Sequence, residues 1–439
     1  MSIRNLFKGG VHPKEHKDYS KDKPIEVLPA PKEVCMPMVQ HVGAPSKPVV
    51  AKGDKVKLGQ VVGEPMGYVS VPVHASVSGK VTKVELSNHP LGKRAMAVFI
   101  ENDGEDLWEE GLNQRRNFEQ FSASELLEMV RQAGIAGLGG AGFPTHVKLK
   151  PPKDKPIDAL VINGAECEPY LTSDDRLMVE HAEEIIGGTL ILMKILTVAR
   201  GFVGIEENKP VAFEKMASAA SKFPNISVRL LPVKYPQGAE KQLIQVLTGR
   251  TVPSGGLPLD VGVVCDNVGT AKAVFDAVRL ARPLVERVVT VTGDGVKRPG
   301  NYLTRIGTPM RWLLEKAEFL PGDNKFITGG PMMGVAFADL DVPVIKGTTG
   351  IVAFRRAQEY TGRPCIRCGR CVRVCPILLE PYLLSVLSES GDFKKAEETA
   401  LYDCYECGCC AYVCPAKRPI VHQVKLAKEW LAKEKARKA

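Results

Sequence analysis

From about residue 120 onward, short apolar runs alternate with longer stretches of helical character. The runs Ala159–Asn163, Gly201–Glu206, Ile226–Val233 and Val261–Cys265 have the length and β-branched content of buried strands. Helical stretches are expected between them, near 179–198, 210–222, 238–248 and 269–281, and Leu126, Leu127 and Val130 mark an earlier helical face. Alternation of this kind predicts a parallel sheet covered on both faces. Ligands of such sheets bind beyond the carboxyl ends of the strands. Here those ends are 163–176, 234–240 and 265–270, where polar, Gly-bearing loops fall.

The flanks read differently. Segment 37–100 is rich in Val, Gly and Pro with frequent turn signals, and predicts a small all-β unit. Segment 286–350 returns to short strands with one helix, Met310–Ala317, as in a small α+β unit. A cysteine region fills 363–418, and a basic helix, Lys425–Ala439, closes the chain. The most apolar stretch, Ile185–Ala199, is interrupted by Gly187, Gly188 and Lys194. It falls short of the roughly 20 apolar residues of a membrane span and reads as a buried helix. Met1–Gly10 is polar and lacks the apolar core of an export signal, so a cytoplasmic protein is expected.

Composition sharpens this picture at two points. The chain of 439 residues predicts two to four domains, and 12 cysteines without an export signal favour metal ligation over disulfides. The net charge of +9 is concentrated at the two ends. Basic ends are expected to be solvated tails, with docking to anionic lipid or an acidic partner as the alternative. For the closing helix, Leu426, Trp430 and Leu431 form the expected apolar stripe.

Eight of the cysteines form two runs, Cys365, Cys368, Cys371, Cys375 before Pro376, and Cys404, Cys407, Cys410, Cys414 before Pro415. Each is C-x2-C-x2-C-x3-C-P, the bacterial ferredoxin run. Structural zinc also takes four cysteines, but its sites usually pair two CxxC units at a longer separation. Small Gly369 and Gly408 let the backbone approach a cluster. The fourth cysteine of each run crosses to the other cluster in two-cluster ferredoxins. One 4Fe-4S cluster is therefore expected on Cys365, Cys368, Cys371 and Cys414, the other on Cys404, Cys407, Cys410 and Cys375. The 28 residues between the runs include a helical stretch, Pro381–Ser388, which favours a helix-built ferredoxin unit. Cys409 stands outside the pattern, and Arg367, Arg370 and Arg373 alternate with the first ligands.

Gly137, Gly139, Gly140 and Gly142 lie within six residues, in a loop whose backbone amides can cradle a phosphate. The longer phrase, Gly139 to Thr145 followed by Asn163 to Pro169, resembles the flavin- and NADH-binding subunit of respiratory complex I. That resemblance implies FMN phosphate binding at Gly137, Gly139, Gly140, Gly142 and Lys148. It implies that Phe143, Asn163 and Glu168 lie near the flavin ring and NADH. Tyr235, Gly238 and Glu240 resemble the next flavin loop, and Asn267 begins the one after. Glu168, Phe143 and Glu240 are thus the candidate catalytic residues. Ala165 and Ala239 depart from the family's acidic positions.

The phrases Lys52–Gln60 and Val73–Val81 resemble half-motifs of biotinyl and lipoyl carriers, yet no lysine lies between Leu58 and Gly79 to carry a prosthetic group. From Phe7 through the second cysteine run, the chain is similar to the RnfC family, peripheral NADH-binding subunits of an ion-translocating electron transport complex. The resemblance implies a multidomain α/β protein. Its expected parts are an N-terminal arm (1–36), an all-β barrel-sandwich (37–105) and a central α/β flavin domain (120–285). A β-grasp, SLBB-like domain (286–350), a helical two-cluster ferredoxin domain (355–424) and the basic helix (425–439) follow. It implies FMN, NAD(H) and two 4Fe-4S clusters as cofactors. The expected partners are other subunits of a membrane complex, a ferredoxin-like one included, at the cytoplasmic face. A soluble NADH-dependent reductase such as a cobalamin reductase, or a non-enzymatic relay, are the other readings.

Overall fold

In the computed structural model, residues 7–357 and 362–438 are described. Two small antiparallel sheets form the N-terminal unit. Strands Glu33–Pro37, Arg94–Asn102, Gly79–Asn88 and Lys55–Val56 make one, and Ser46–Pro48, Val61–Pro65 and Val73–His74 the other. Their inward residues, Met38, Val62, Val73 and Val98, join one apolar core with Leu160, Ile185 and Val274 of the next unit.

That next unit holds the expected parallel sheet, in the order Ile226–Leu231, Arg200–Glu206, Ala159–Gly164, Val263–Asn267. All three pairings are parallel. The order climbs one way from Ala159–Gly164 and then returns to its other side, so a topological switch point lies between Ala159–Gly164 and the edge strand Val263–Asn267, where α/β sheets bind ligands. Instead of one helix over 179–198, there are two, Ser173–Glu180 and Ala182–Leu196, separated at His181. The buried Glu166 carboxylate accepts the Asp174 and Asp175 N–H groups at 2.7 and 3.2 Å, which caps the first helix and explains the earlier start. Gly188 interrupts the apolar run for a packing reason. A side chain there would collide with the Ala271 carbonyl, so the glycine lets helix Val268–Arg279 lie against its neighbour.

The third unit is a six-stranded mixed sheet with the helix Met310–Lys316, and its strand Gly350–Phe354 runs past residue 350. One edge of that sheet is Ile25–Val27, pairing in parallel with Gly300–Arg305. From Phe7 onward the N-terminal arm is therefore not a solvated tail. Phe7 is buried, Gly10 N–H donates to Val374 O at 2.9 Å, Val11 pairs with Tyr235, and Lys17 is buried. Burial of apolar Phe7 and Val11 outweighs the solvation of Lys8, the single charge between them.

The cysteine unit is helical, built from Arg370–Val374, Pro381–Glu389, Phe393–Glu398, Cys409–Tyr412 and Ile420–Lys438. Its closing helix begins five residues before the expected Lys425. Ile420, Val424, Ala427 and Leu431 form its buried face, whereas Leu426 and Trp430 are 48% and 42% exposed. The stripe expected on Leu426 and Trp430 is thus corrected. The small Val424 and Ala427 let the helix approach Leu384 and Leu387 closely, and that rotates the larger residues outward. Among the described residues no helix is long and apolar enough to cross a membrane.

Candidate functional site

Asn163 and Asn267 are register partners at the carboxyl ends of Ala159–Gly164 and Val263–Asn267, directly at the switch point. Asn163 donates to Gly238 O at 2.8 Å and accepts from Ala165 N–H at 3.1 Å. Asn267 donates to Asp174 at 2.7 Å and accepts from Gly269 N–H at 2.7 Å, which starts its helix. The glycine loop closes on itself through Gly137 N–H and Phe143 O at 2.9 Å, and Leu138 N–H donates to Thr270 Oγ1. Gly139 backs onto the Asn267 side chain, while the side of Gly140 that lacks a side chain faces open space. The barrel-sandwich unit reaches this loop as well, with Val42 N–H donating to Gly142 O. Buried Thr145 Oγ1 and both amide atoms of Gln237 have no hydrogen-bond partner among the described residues.

Lys148 and Glu240 come together, 3.2 Å apart, but around a residue the motifs did not single out. Lys148 Nζ also donates to Cys265 O at 2.6 Å and lies 3.7 Å from Asp266. Burial pushes the Asp266 carboxyl up to about 6, against the pull of the Lys148 ammonium. Against its own burial, Asp266 and Glu240 raise Lys148 above the ordinary lysine range and keep it charged. Its N–H groups point at two carboxylates and a carbonyl, so in this arrangement Lys148 braces the sheet edge below the loops. Asp266 stood at a predicted strand end, and that position was the signal available for it.

Glu168 turns toward the third unit. Its carboxylate accepts Met332 and Met333 N–H at 3.1 and 2.8 Å. Burial raises it to about 7, with those two N–H groups pulling the other way. Cys167 faces inward, its sulfur accepting Gly238 N–H at 3.2 Å, and burial pushes its thiol up. Tyr235 is buried, and its hydroxyl donates to Cys407 O at 2.7 Å. Phe143 is half-buried, next to the loop its carbonyl closes. The Met332 and Met333 contacts bridge 164 and 165 residues of sequence, with no local signal to reveal them.

The cysteines surround two cavities. Cys375, Cys404, Cys407 and Cys410 line one, which Cys409 also borders. Cys365, Cys368, Cys371 and Cys414 line the other. The fourth cysteine of each run thus lies with the first three of the opposite run. Burial pushes the Cys404 thiol up to about 11, and burial with the nearby Cys407 and Cys404 sulfurs raises Cys410 as well. Thiols that penalise one another's anions in this way are suited to a bound cation, whose charge reverses that balance. The donor set fits an iron–sulfur cluster in each cavity.

Comparison with known proteins covers the whole chain. Residues 5–105 match the RnfC barrel sandwich hybrid domain, and residues 130–276 the Nuo51 FMN-binding domain. Residues 288–336 match the SLBB domain, and residues 358–415 the 4Fe-4S dicluster domain. The chain is 49% identical over 391 residues to the C subunit of the proton-translocating ferredoxin:NAD(+) oxidoreductase complex of Clostridium ljungdahlii, over 87% of this chain and 84% of that one. It is 47% identical over 432 residues to the C subunit of the Na(+)-translocating ferredoxin:NAD(+) oxidoreductase complex of Acetobacterium woodii, over 98% of each. It is 42% identical over 451 residues to the C subunit of the ion-translocating oxidoreductase complex of Rhodobacter capsulatus, over 100% of this chain and 87% of that one.

Proposed function

The chain belongs to the family of C subunits of ion-translocating oxidoreductase complexes, and from that premise we propose that it is the peripheral electron-input subunit of such a complex, exchanging electrons between NAD(H), FMN and two 4Fe-4S clusters. Bound FMN would supply the chemistry the clusters lack, taking two electrons as a hydride and releasing them singly. Gly139, Gly140 and Gly142 would hold its phosphate end, and Asn163, Gly238 and Asn267 would serve its ring. Phe143 and Glu168 serve the nicotinamide side. Lys148, Glu240 and Asp266 brace the strand ends beneath. Cys365, Cys368, Cys371 and Cys414 bind the first-motif cluster, and Cys404, Cys407, Cys410 and Cys375 the second-motif cluster. The partners are the other subunits of the complex, a ferredoxin-like one among them, at the cytoplasmic face of the membrane.

One observation carries this reading above the others. The Tyr235 hydroxyl, on a flavin-site loop, donates to the backbone carbonyl of the cluster cysteine Cys407 at 2.7 Å. Two cofactor sites joined by a direct, part-buried hydrogen bond suit electron passage between them. The test is anaerobic preparation followed by metal, flavin and EPR measurement. About eight iron atoms per chain are expected from two four-iron clusters. Acid precipitation should release FMN, and NADH should reduce the flavin and both clusters. Protein without flavin, or flavin reduced by NADH with clusters left oxidised, would sink the proposal.

A further inference from the structure

Glu168 is held from outside its own unit. Its Oε2 accepts Met332 N–H at 3.1 Å and its Oε1 accepts Met333 N–H at 2.8 Å. Two successive amides of the third unit thus engage both carboxylate oxygens and fix the plane of the group. Gly330 makes room for it. A side-chain carbon there would stand 2.2 Å from Oε2 and 2.8 Å from the Glu168 Cβ, and Gly330 has no positive φ. Space for Glu168 is therefore what the missing side chain provides. The turn closes through Gly334 N–H, which donates to Gly330 O at 2.8 Å, and Met332 anchors it by packing against Tyr235 and Cys409.

This grip uses no counter-charge. Lys17 pairs with the Glu166 carboxylate at 4.0 Å and gives Glu168 only a hydrogen bond to its backbone carbonyl. A carboxylate that merely braces a fold is ordinarily completed by a cation. Here two neutral donors set its direction, and the residue is only half-buried, so one side stays open to a ligand. We propose that the Gly329–Gly334 loop is a positioning element of the NAD(H) site, holding the Glu168 carboxylate as a fixed negative charge that favours the cationic ring of NAD+ over the neutral ring of NADH. The proposal deepens the reading of Glu168 given above and rests on it. A charge fixed beforehand stabilises the positive charge that develops as a hydride leaves, without reorganisation at that moment. No atom or electron of the loop takes part in the transfer.

Titration calorimetry of NAD+ into the oxidised, full-length holoprotein tests this, at pH 8 so that Glu168, raised to about 7, is ionised. Gly330→Ala should weaken NAD+ binding at least about fivefold and lower kcat for NADH with ferricyanide about tenfold, with KM changed less than about twofold. Glu168→Gln should do the same. In a Glu168→Ala background Gly330→Ala should add nothing, because the group it displaces is gone. Gly322→Ala, in the same unit and with no contact closer than 3.5 Å, should change none of these. Iron, flavin content and EPR of both clusters report whether a variant is intact. Where Gly330→Ala is not, Met333→Pro, which removes one of the two N–H donors, takes its place. NAD+ and NADH weakened alike, or an effect of Gly330→Ala that is the same with and without Glu168, overturns the proposal and leaves the loop a support of the fold. Intact binding of NAD+ that ignores Gly330 sinks this proposal alone, whereas wild-type holoprotein that binds neither nucleotide sinks the NAD(H) reading and this proposal together.

Discussion

Lys17 carries more of the site than its sequence context suggests. Its ammonium donates to the carbonyls of Glu166, Glu168 and Leu171, the first two at 2.9 and 3.1 Å, and lies 4.0 Å from the Glu166 carboxylate. It thereby fixes the loop that presents Cys167 and Glu168. Lys17→Met leaves three carbonyls and a buried carboxylate without that charge, which should cost about 3 kcal/mol. Retained FMN with reduced NADH turnover, partly restored in Lys17→Arg, is the expected outcome; equal loss of flavin and turnover would make Lys17 a support of the fold alone. Among the cysteines, Cys414→Ala should remove the first-motif cluster and leave about four iron atoms. Loss of the second-motif EPR signal alone would refute the crossed ligation. The cysteine runs were legible because ligand spacing is local. Lys17 was not, because a lysine in a basic stretch reads as solvated until its burial is seen.

At the scale of elements, the arm and the closing helix each do something the periodicity left open. Gly9 has φ +67°, and a side chain there would meet the Cys375 carbonyl at 2.6 Å. Gly9→Ala should therefore push the arm off a ligand of the second-motif cluster. The expected readout is a weakened or shifted second-motif EPR signal with the first-motif signal kept. In the closing helix, Leu431 is 2% exposed and packs with Leu384 and Leu387. Leu431→Ala should cost about 2–4 kcal/mol and lower iron retention on dilution, while Leu426→Ser on the exposed face should leave both unchanged. If the two substitutions behave alike, the helix does not bury the Leu431 face. The helix itself was readable from the chain, but its rotation was set by the neighbour it packs on.

Across the whole molecule, Lys346 ties three units together. Its ammonium donates to Pro72 O at 2.9 Å and Gly134 O at 2.6 Å, while Lys346 O accepts from Arg287. Burial lowers its pKa to about 7 from the ordinary 10.5. Between those values the unfolded chain binds more protons than the folded one, so this lysine makes stability rise with pH through that window and contributes no slope below it. The gap in unfolding temperature between wild type and Lys346→Met should accordingly be larger at pH 9 than at pH 7. An equal gap at both, measured anaerobically by calorimetry, would mean the lysine is charged throughout.

Local patterns in the chain suffice for the cysteine chemistry, the alternation that makes the parallel sheet, and the strand ends that carry the glycine and asparagine loops. These rest on spacings of a few residues, over which chain geometry alone brings the groups into range. What joins the units was decided only by the tertiary structure. Tyr235 meets Cys407, Glu168 meets Met332 and Met333, and Lys17 reaches the Glu166–Leu171 loop across 149 to 172 residues. A contact over that separation depends on how whole faces bury one another, so it leaves no periodic trace in the chain. The arm shows this most plainly, since its charges predict solvent, whereas the apolar surface buried at Phe7 and Val11 holds it against Tyr235 and Val374.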